Sequence, residues 1–408
     1  MTACIPTRSE AKRRLEAFLP RAGVHYARTR NFDFGQENRG NVSQLSPWIR
    51  HRLITEDEVL TAVLSQHGLA AAEKFVQEVC WRTYWKGWLE MRPSVWRDYR
   101  DAIAPAHDTL SADDRDRLAA AMRGETDIEC LNAWSRELTS SGYLHNHTRM
   151  WFASIWIFTL RLPWQLGADF FMRHLLDGDA ASNTLSWRWV AGLQTVGKNY
   201  LARAENIAKY TNQRFVDTPG LSPSAQPILG RDPMPPMPLA ESVPPDTAKH
   251  TALLITDDDL AVSRDLFALP QLANAVYVDT TAWRCEQTAS PEVQRFVDGA
   301  VDDLADRLVM PMHRVAAEGE EWAGELGQWC ETAGIEQLVS LHVPVGPSTD
   351  ALQQTKQILA TYGITMTTVI RPWDRLAWPY ATKGFFNFKK HIPTLLQDSG
   401  IVFSGRKH

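Results

Sequence analysis

The chain has 408 residues, 44% of them hydrophobic and 22% charged, with a net charge of −5. This is ordinary for a soluble globular protein and long enough for two or three domains of roughly 150 residues. The negative balance excludes a protein drawn to nucleic acid by a global positive field.

The charge is uneven. Residues 1–220 carry 28 Lys/Arg against 25 Asp/Glu, and residues 221–408 carry 15 against 23. A polyanion partner is therefore expected on the first half. The five cysteines (Cys4, Cys80, Cys130, Cys285, Cys330) form no CxxC pair. That argues against a metal centre or a disulfide framework and fits a reducing compartment. The first residues are charged (Arg8, Glu10, Lys12, Arg13, Arg14), and no run reaches the ~18 apolar residues of a membrane span. The expectation is a cytoplasmic monomer with no membrane partner and no metal.

From Ser9 to about Phe215 the hydrophobic period is helical, with apolar residues three and four apart in 55–66, 70–90, 128–140, 143–161 and 167–176. Residues 216–249 hold nine prolines, from Pro219 to Pro245, and read as an extended linker. The period then changes. Short β-rich runs at 253–256, 275–278, 338–342 and 364–370 alternate with helical stretches at 291–307, 320–332 and 350–362. This pattern predicts a small parallel α/β, Rossmann-like domain. The predicted fold is thus mostly α: helical over 1–215, a linker over 216–249, and α/β over 250–408. Neither GxGxxG nor GxxxxGK[ST] occurs.

Four segments of the first half carry candidate chemistry. In Asn41-Val42-Ser43-Gln44-Leu45-Ser46-Pro47, Ser46 suits an N-cap and Pro47 a first helical residue. It reads as a plain helix start or as a cradle for a diphosphate. In 75–90, Glu78, Trp81, Trp85 and Trp88 share one helical face. An aromatic stripe is usually core, but a carboxylate among aromatics needs a partner or a functional pocket. In 142–150, His145 and His147 are two apart and would splay on a helix, so a metal pair is disfavoured. Asn146 and Arg149, at i and i+3, suit a polar ligand contact. Asp177-Gly178-Asp179 with Asn183 hints at calcium but lacks the remaining ligands of a calcium loop. The two acids could instead accept from a sugar or a heterocycle N–H.

In this order, SxLSP, E-x-x-W-R, G-Y-x-H-N-x-x-R-M and D-G-D-x-x-x-N-x-x-x-W-x-W resemble the FAD-binding domain of the DNA photolyase/cryptochrome family over roughly residues 20–210. The resemblance implies a helical domain that binds FAD. Tyr26, Ser43, Gln44, Leu45 and Ser46 would meet the phosphate side. Asn146, Arg149, Asp177, Asp179 and Asn183 would lie beside the folded cofactor, with Arg149 paired to Asp177 and Asn183 facing flavin N5. Glu78, Trp81, Met150 and Trp189 match the pocket for a flipped pyrimidine dimer. Extrusion of a lesion needs an aromatic wall on which to stack it. Trp187 and Trp164 match the inner members of a tryptophan chain that carries electrons to the flavin. Arg30, Lys86 and Lys198, with Trp81 and Trp189, would face DNA.

Three departures from the family pattern are visible. The stretch 110–123, where an outer tryptophan is expected, has none; Trp85, Trp88 and Trp151 are the candidate substitutes. The α/β segment follows the helical one rather than preceding it, which suggests a swapped domain order or an unrelated appended domain. The family's Arg-Asp-Leu-Arg opening is not visible, so an antenna chromophore is uncertain. Leu201–Asn206 also lacks the usual Arg-Ile-Phe-Asn-Pro. The Asn146/Met150 pair implies cyclobutane dimers rather than (6-4) photoproducts, with His145 and His147 as remaining candidate acids. The expected function is deoxyribodipyrimidine photolyase activity on UV-damaged DNA. The alternatives are a cryptochrome-like photoreceptor without repair and a helical protein without flavin.

Overall fold

The structure, a computed structural model, describes residues 4–403 apart from 196, 263–268, 270 and 320. Its organising element in the first half is the helix Leu69–Glu90. Ala72, Phe75, Val76, Val79, Cys80, Thr83, Tyr84 and Gly87 are buried along it, the three-and-four spacing of an inward stripe. Around it pack the helices Val24–Thr29, Glu56–Gln66 and Ala180–Val190. The helix Glu56–Gln66 starts from a capping box in which Thr55 and Glu58 satisfy each other's end groups. The helix Asn146–Ser154 runs into a π-helical turn, Ile155–Thr159.

The second half holds five parallel strands: β1 Thr251–Ile255, β2 Leu272–Asp279, β3 Met312–Ala316, β4 Gln337–Leu341 and β5 Thr365–Val369. Their order is β3-β2-β1-β4-β5, the pattern of a doubly wound sheet. Leu253 of β1 lies opposite Ala275 of β2 and Val339 of β4. The helices Pro291–Leu308, Trp322–Thr332 and Pro347–Thr361 make the crossovers β2–β3, β3–β4 and β4–β5. β3 was not expected from the sequence. It is an edge strand, Met-His-Arg-Val-Ala, with only Val315 buried, so it lacks the hydrophobic run of a central parallel strand.

The alternation of strand side chains divides the molecule into two cores. Leu253, Ile255, Ala275, Tyr277, Val339 and Leu341 join the cluster that fills the helical half. Their neighbours Ala252, Leu254, Val276, Val278 and Leu338 face the helices Trp322–Thr332 and Pro347–Thr361. One sheet face is therefore continuous with the helical core. Residues 216–249 contain no helix or strand and are mostly exposed.

The carboxyl ends of the strands also meet the helical half, through charge. Arg50-His51-Arg52 faces Asp257-Asp258-Asp259, all buried. Arg50 pairs with Asp258 at 2.9 Å and Asp257 at 3.4 Å, and Arg52 pairs with Asp259 at 3.1 Å and Asp374 at 2.7 Å. His51 donates from Nδ1 to the Asp257 carbonyl at 2.7 Å. Burial pushes its imidazole below the ordinary value, so it sits there neutral. Glu90 accepts from His342 at 2.9 Å and from the Val345 N–H at 2.5 Å. Doubly wound sheets take ligands at this edge. Here a cavity of about 10 Å³, lined by Thr256, Asp258, Asp259 and His342 among others, leaves room for about one water.

Candidate functional site

The Asp177–Asp179 loop and the long helix make the centre of the site. Arg149 donates to Asp177 Oδ2 at 2.8 Å, so the pair expected from the sequence is present. Burial pushes this carboxyl up, but Arg149, with the Ser46 side chain close by, holds it below the ordinary value. Its other oxygen, Oδ1, is buried without a partner among the described residues. Asp179 caps the helix Ala180–Val190 by accepting from the Ser182 N–H at 2.8 Å. It also meets Arg82 at 3.1 Å and Lys86 at 3.7 Å. Burial opposes its charge, and these cations more than compensate, holding it ionised well below the usual range.

Gly178 lies between the two acids. A Cβ there would come 2.3 Å from the Arg284 guanidinium, so no side chain fits. Arg284 comes from the α/β half and donates to the Met172 and Leu175 carbonyls. Arg50 adds a bond to the Gly178 carbonyl at 2.9 Å. The acidic loop is thus gripped from both halves of the molecule.

Asn183 projects from the first turn of the same helix. Its amide nitrogen donates to the Ala168 carbonyl at 2.8 Å, which leaves its oxygen as an acceptor. The Ser43–Ser46 turn depends on Gln44, whose φ of 54° is left-handed. The helix that follows is only Ser46–Arg50, and Leu45 rather than Ser46 occupies its capping position. Ser46 is the first helical residue instead, with its hydroxyl turned to Asp177. Tyr26 is buried edge-on to Phe18 and Phe75.

Beside this lies an aromatic surface. Glu78 is ion-paired to Arg30. Burial raises its pKa, and Arg30 only partly offsets that. Trp81 is stacked on Phe385 with centroids 3.7 Å apart and planes 12° apart. Trp189 is stacked on Tyr200 at 5.7 Å. Met150 is half-buried and Asn146 exposed on the intervening helix. Both histidines of that segment are engaged. His145 is buried and caps the helix, with burial pushing its pKa down to about 4. His147 lies between the Asn31 carbonyl and the Tyr200 hydroxyl and is also pushed down by burial.

The electron-relay candidates are interior. Trp187 is buried, edge-on to Trp156 and Phe171. Gly167, one turn along the helix from Trp164, lies against the Trp187 ring. Trp164 is stacked on Tyr99 at 5.6 Å. None of the expected substitutes takes that place. Trp85 packs on Trp81 and Tyr84, Trp88 on the Arg92 guanidinium, and Trp151 on Trp134 and His147.

One DNA contact expected from the sequence is corrected. Lys86 is 1% exposed and cannot reach a phosphate. A lysine stays inside only with a counterion, and Asp179 supplies it. Lys198 is exposed. Sequence reasoning did not assign Arg82, although it stands inside the E-x-x-W-R motif. It also passed over two adjacent opposite-charge triplets, Arg50–Arg52 and Asp257–Asp259, whose complementarity was a usable signal. Phe385 and Tyr99 carried no signal, because their contacts are made only by the fold.

The side chains fit a flavin nucleotide by what they leave unsatisfied: one buried Asp177 oxygen and an Asn183 oxygen fixed as acceptor. Among the described residues no group of three or more His, Cys, Asp or Glu is placed to hold a metal, and no helix is long and apolar enough to cross a membrane.

Residues 75–217 match the sequence family described as the FAD binding domain of DNA photolyase. The deoxyribodipyrimidine photo-lyase of Streptomyces griseus is 36% identical over 154 residues, which is 38% of this chain and 32% of that protein. That of Alkalihalophilus pseudofirmus is 29% identical over 186 residues, 45% of this chain and 38% of that one. The chain therefore spans about a third of the length of these relatives. Among solved structures, a bacterial class III photolyase from Agrobacterium tumefaciens aligns over 51% of this chain and 44% of its own, with 28% identity and a TM-score of 0.43.

Proposed function

We propose that this protein binds FAD and uses light to split cyclobutane pyrimidine dimers in DNA. The observation that carries the reading is the pair of fixed acceptors, Asp177 Oδ1 and the Asn183 amide oxygen, inside the stretch that matches the FAD-binding family. Bound reduced FAD would supply the electron that opens the dimer and takes it back. The protein's own part is to hold and exclude. Arg149, Ser46 and burial fix Asp177, and the Ala168 carbonyl fixes Asn183 so that its oxygen can accept an N–H. Trp81 and Trp189, each backed by a second ring, would stack an extruded dimer with Met150 between them. Glu78, with its pKa raised by burial, would accept from or share a proton with the pyrimidine edge while Arg30 orients it. Arg30 and Lys198 would meet phosphates.

Two further points support the cyclobutane lesion. Burial lowers the pKa of both nearby histidines, which disfavours either as a standing acid for (6-4) chemistry, and both ring nitrogens of His147 already have partners in the Asn31 carbonyl and the Tyr200 hydroxyl. Asn146 and Met150 occupy the remaining positions of that segment. We take residues 1–215 as the flavin-binding unit, 216–249 as the connection and 250–408 as an α/β unit whose order is swapped relative to the family. The exposed, element-free stretch supports that division. No antenna chromophore is assigned.

The test is illumination of purified, chemically reduced protein with an oligonucleotide carrying a single dimer. Restored thymines are expected, and absence of repair at every flavin redox state overturns the reading. Equal affinity for damaged and undamaged DNA would point instead to a photoreceptor; a colourless preparation would exclude the flavin.

A further inference from the structure

If electrons pass through Trp187 and Trp164, as the resemblance implies, the outer end of that route is not revealed by the sequence. Trp164 stacks on Tyr99 with centroids 5.6 Å apart and planes 25° apart. Tyr99 lies 5.4 Å from Trp96, three residues earlier on the helix Ser94–Asp101. Trp96 donates its indole N–H to Asp350 Oδ2 at 2.7 Å. Asp350 belongs to the helix Pro347–Thr361, so the acceptor comes from the α/β half.

We propose that Trp96 is the outer electron donor of this protein, that Tyr99 bridges it to Trp164, and that Asp350 takes the proton Trp96 releases. The proposal rests on the flavin reading above. The balance is one electron and one proton. An electron leaves Trp96 and fills the vacancy that Trp164 acquires in reducing Trp187; the final acceptor is the light-excited oxidised flavin. The proton on Trp96 Nε1 crosses its 2.7 Å hydrogen bond to the Asp350 carboxylate, leaving a neutral indolyl radical. An external reductant then returns one electron, and the proton goes back.

The chemistry of the two rings decides which one holds the vacancy. An oxidised phenol is stable only if it loses its proton. The Tyr99 hydroxyl is buried with no hydrogen-bond partner among the described residues, and burial pushes its pKa far up. Tyr99 is 2% exposed. It can pass an electron but has no base to make it a stopping point. Trp96, 1% exposed, has such a base in line with its N–H. The Arg100 guanidinium lies 5.8 Å over the Trp96 ring, and its charge disfavours a cation there. Proton loss to Asp350 removes that conflict. Asp350 is only half-buried, so the proton has a way out.

The test uses the full chain loaded with oxidised FAD, illuminated with a thiol reductant. It reads flavin bleaching and, by electron paramagnetic resonance and transient absorption, the radical left on the protein. Trp96→Phe is expected to cut the bleaching yield at least tenfold and abolish the long-lived tryptophanyl signal, with bound FAD unchanged. Tyr99→Leu removes the bridging ring and is expected to cut the bleaching yield about fivefold or more, with bound FAD unchanged. Asp350→Asn keeps the fold contact but not the base, and should shorten the radical lifetime at least tenfold; it carries the test if Trp96→Phe does not fold. Wild-type bleaching and radical lifetime in both Trp96→Phe and Asp350→Asn overturn the proposal. A coloured protein that repairs dimers when chemically reduced but never bleaches also overturns it and leaves the repair reading intact. A colourless protein removes both.

Discussion

Two assemblies of opposite chemistry converge on the site. One is an ion ladder: Asp374 to Arg52 at 2.7 Å, Arg52 to Glu56 at 3.2 Å, Glu56 to Arg82 at 3.5 Å, Arg82 to Asp179 at 3.1 Å and Lys86 at the end at 3.7 Å. The other is the aromatic surface of Trp81 on Phe385 and Trp189 on Tyr200. The ladder runs unbroken from the α/β half to the acidic loop and is buried except at Arg82, whose side chain is 12% exposed. Buried charges cost desolvation and repay it only in good geometry. They therefore fix position better than they add stability. In the aromatic pairs Trp81, Trp189 and Tyr200 are half-buried while Phe385 is buried behind Trp81, so the tryptophan faces suit a surface that must accept a flat guest. Position is set by charge, and occupancy is left to rings.

Breaking the ladder has the largest expected effect. Arg52→Met leaves three buried carboxylates, Glu56, Asp259 and Asp374, short of a counterion. Urea unfolding is expected to show a loss of ~3–5 kcal/mol; a loss under about 1 kcal/mol would mean the ladder does not hold the halves. Phe385→Ala, by contrast, should cost about 3 kcal/mol, the usual price of a vacated buried phenyl. It should also weaken dimer binding, because Trp81 loses the ring behind it. If binding is untouched, the Trp81–Phe385 stack is core and not part of the site.

Trp189→Ala sharpens the contrast from the other side. Loss of one stacking face is worth ~1–3 kcal/mol of binding, so lesion affinity should fall by about tenfold or more in a gel-shift titration. Its unfolding midpoint should move less than that of Phe385→Ala.

Acid separates the two assemblies more gently. Asp177, Asp179, Asp257 and Asp259 are held below their ordinary values; burial opposes this and the adjacent arginines prevail. Their contribution is present above the unfolded carboxylate value of about 3.9 and is lost as pH falls through the depressed folded values. Asp374 goes the other way: burial raises it despite Arg52, so it is the first rung to take a proton. The buried histidines His51, His145 and His147 are pushed below their ordinary value, so the unfolded chain takes their protons first and stability should begin to fall as pH drops below about 6.5. A second loss should follow below about pH 4 as the paired carboxylates protonate; an unfolding midpoint that is flat from pH 7 to 5 would mean that the histidines are not held neutral. The smallest effect is Lys198→Ala. Stability should be unchanged, and the dependence of log affinity on log salt should be shallower by about 1.

What was legible in the sequence follows the same division. Periodicity located the long helix from its buried stripe and β1, β2 and β4 from their buried runs, while β5 was legible from its β-branched composition although none of its residues is fully buried. β3 escaped, since an exposed edge carries little apolar signal. In the site, Arg149 and Asp177 were legible as a pair because both stand in recognisable motifs. Lys86 was misassigned to the surface because a lysine's counterion is visible only in three dimensions. Phe385, Tyr99 and Asp350 lie on elements that the fold alone brings to Trp81, Trp164 and Trp96.

The exposed stretch 216–249 has a consequence for how the two halves stay together. As the connection proposed above, it would act as a tether, keeping each half at high effective concentration for the other. Limited proteolysis should cut there first, and the nicked protein should still run as one particle, because what joins the halves is the ladder, the shared core and the Trp96–Asp350 bond. The continuity of the peptide serves assembly; the finished molecule depends on it little.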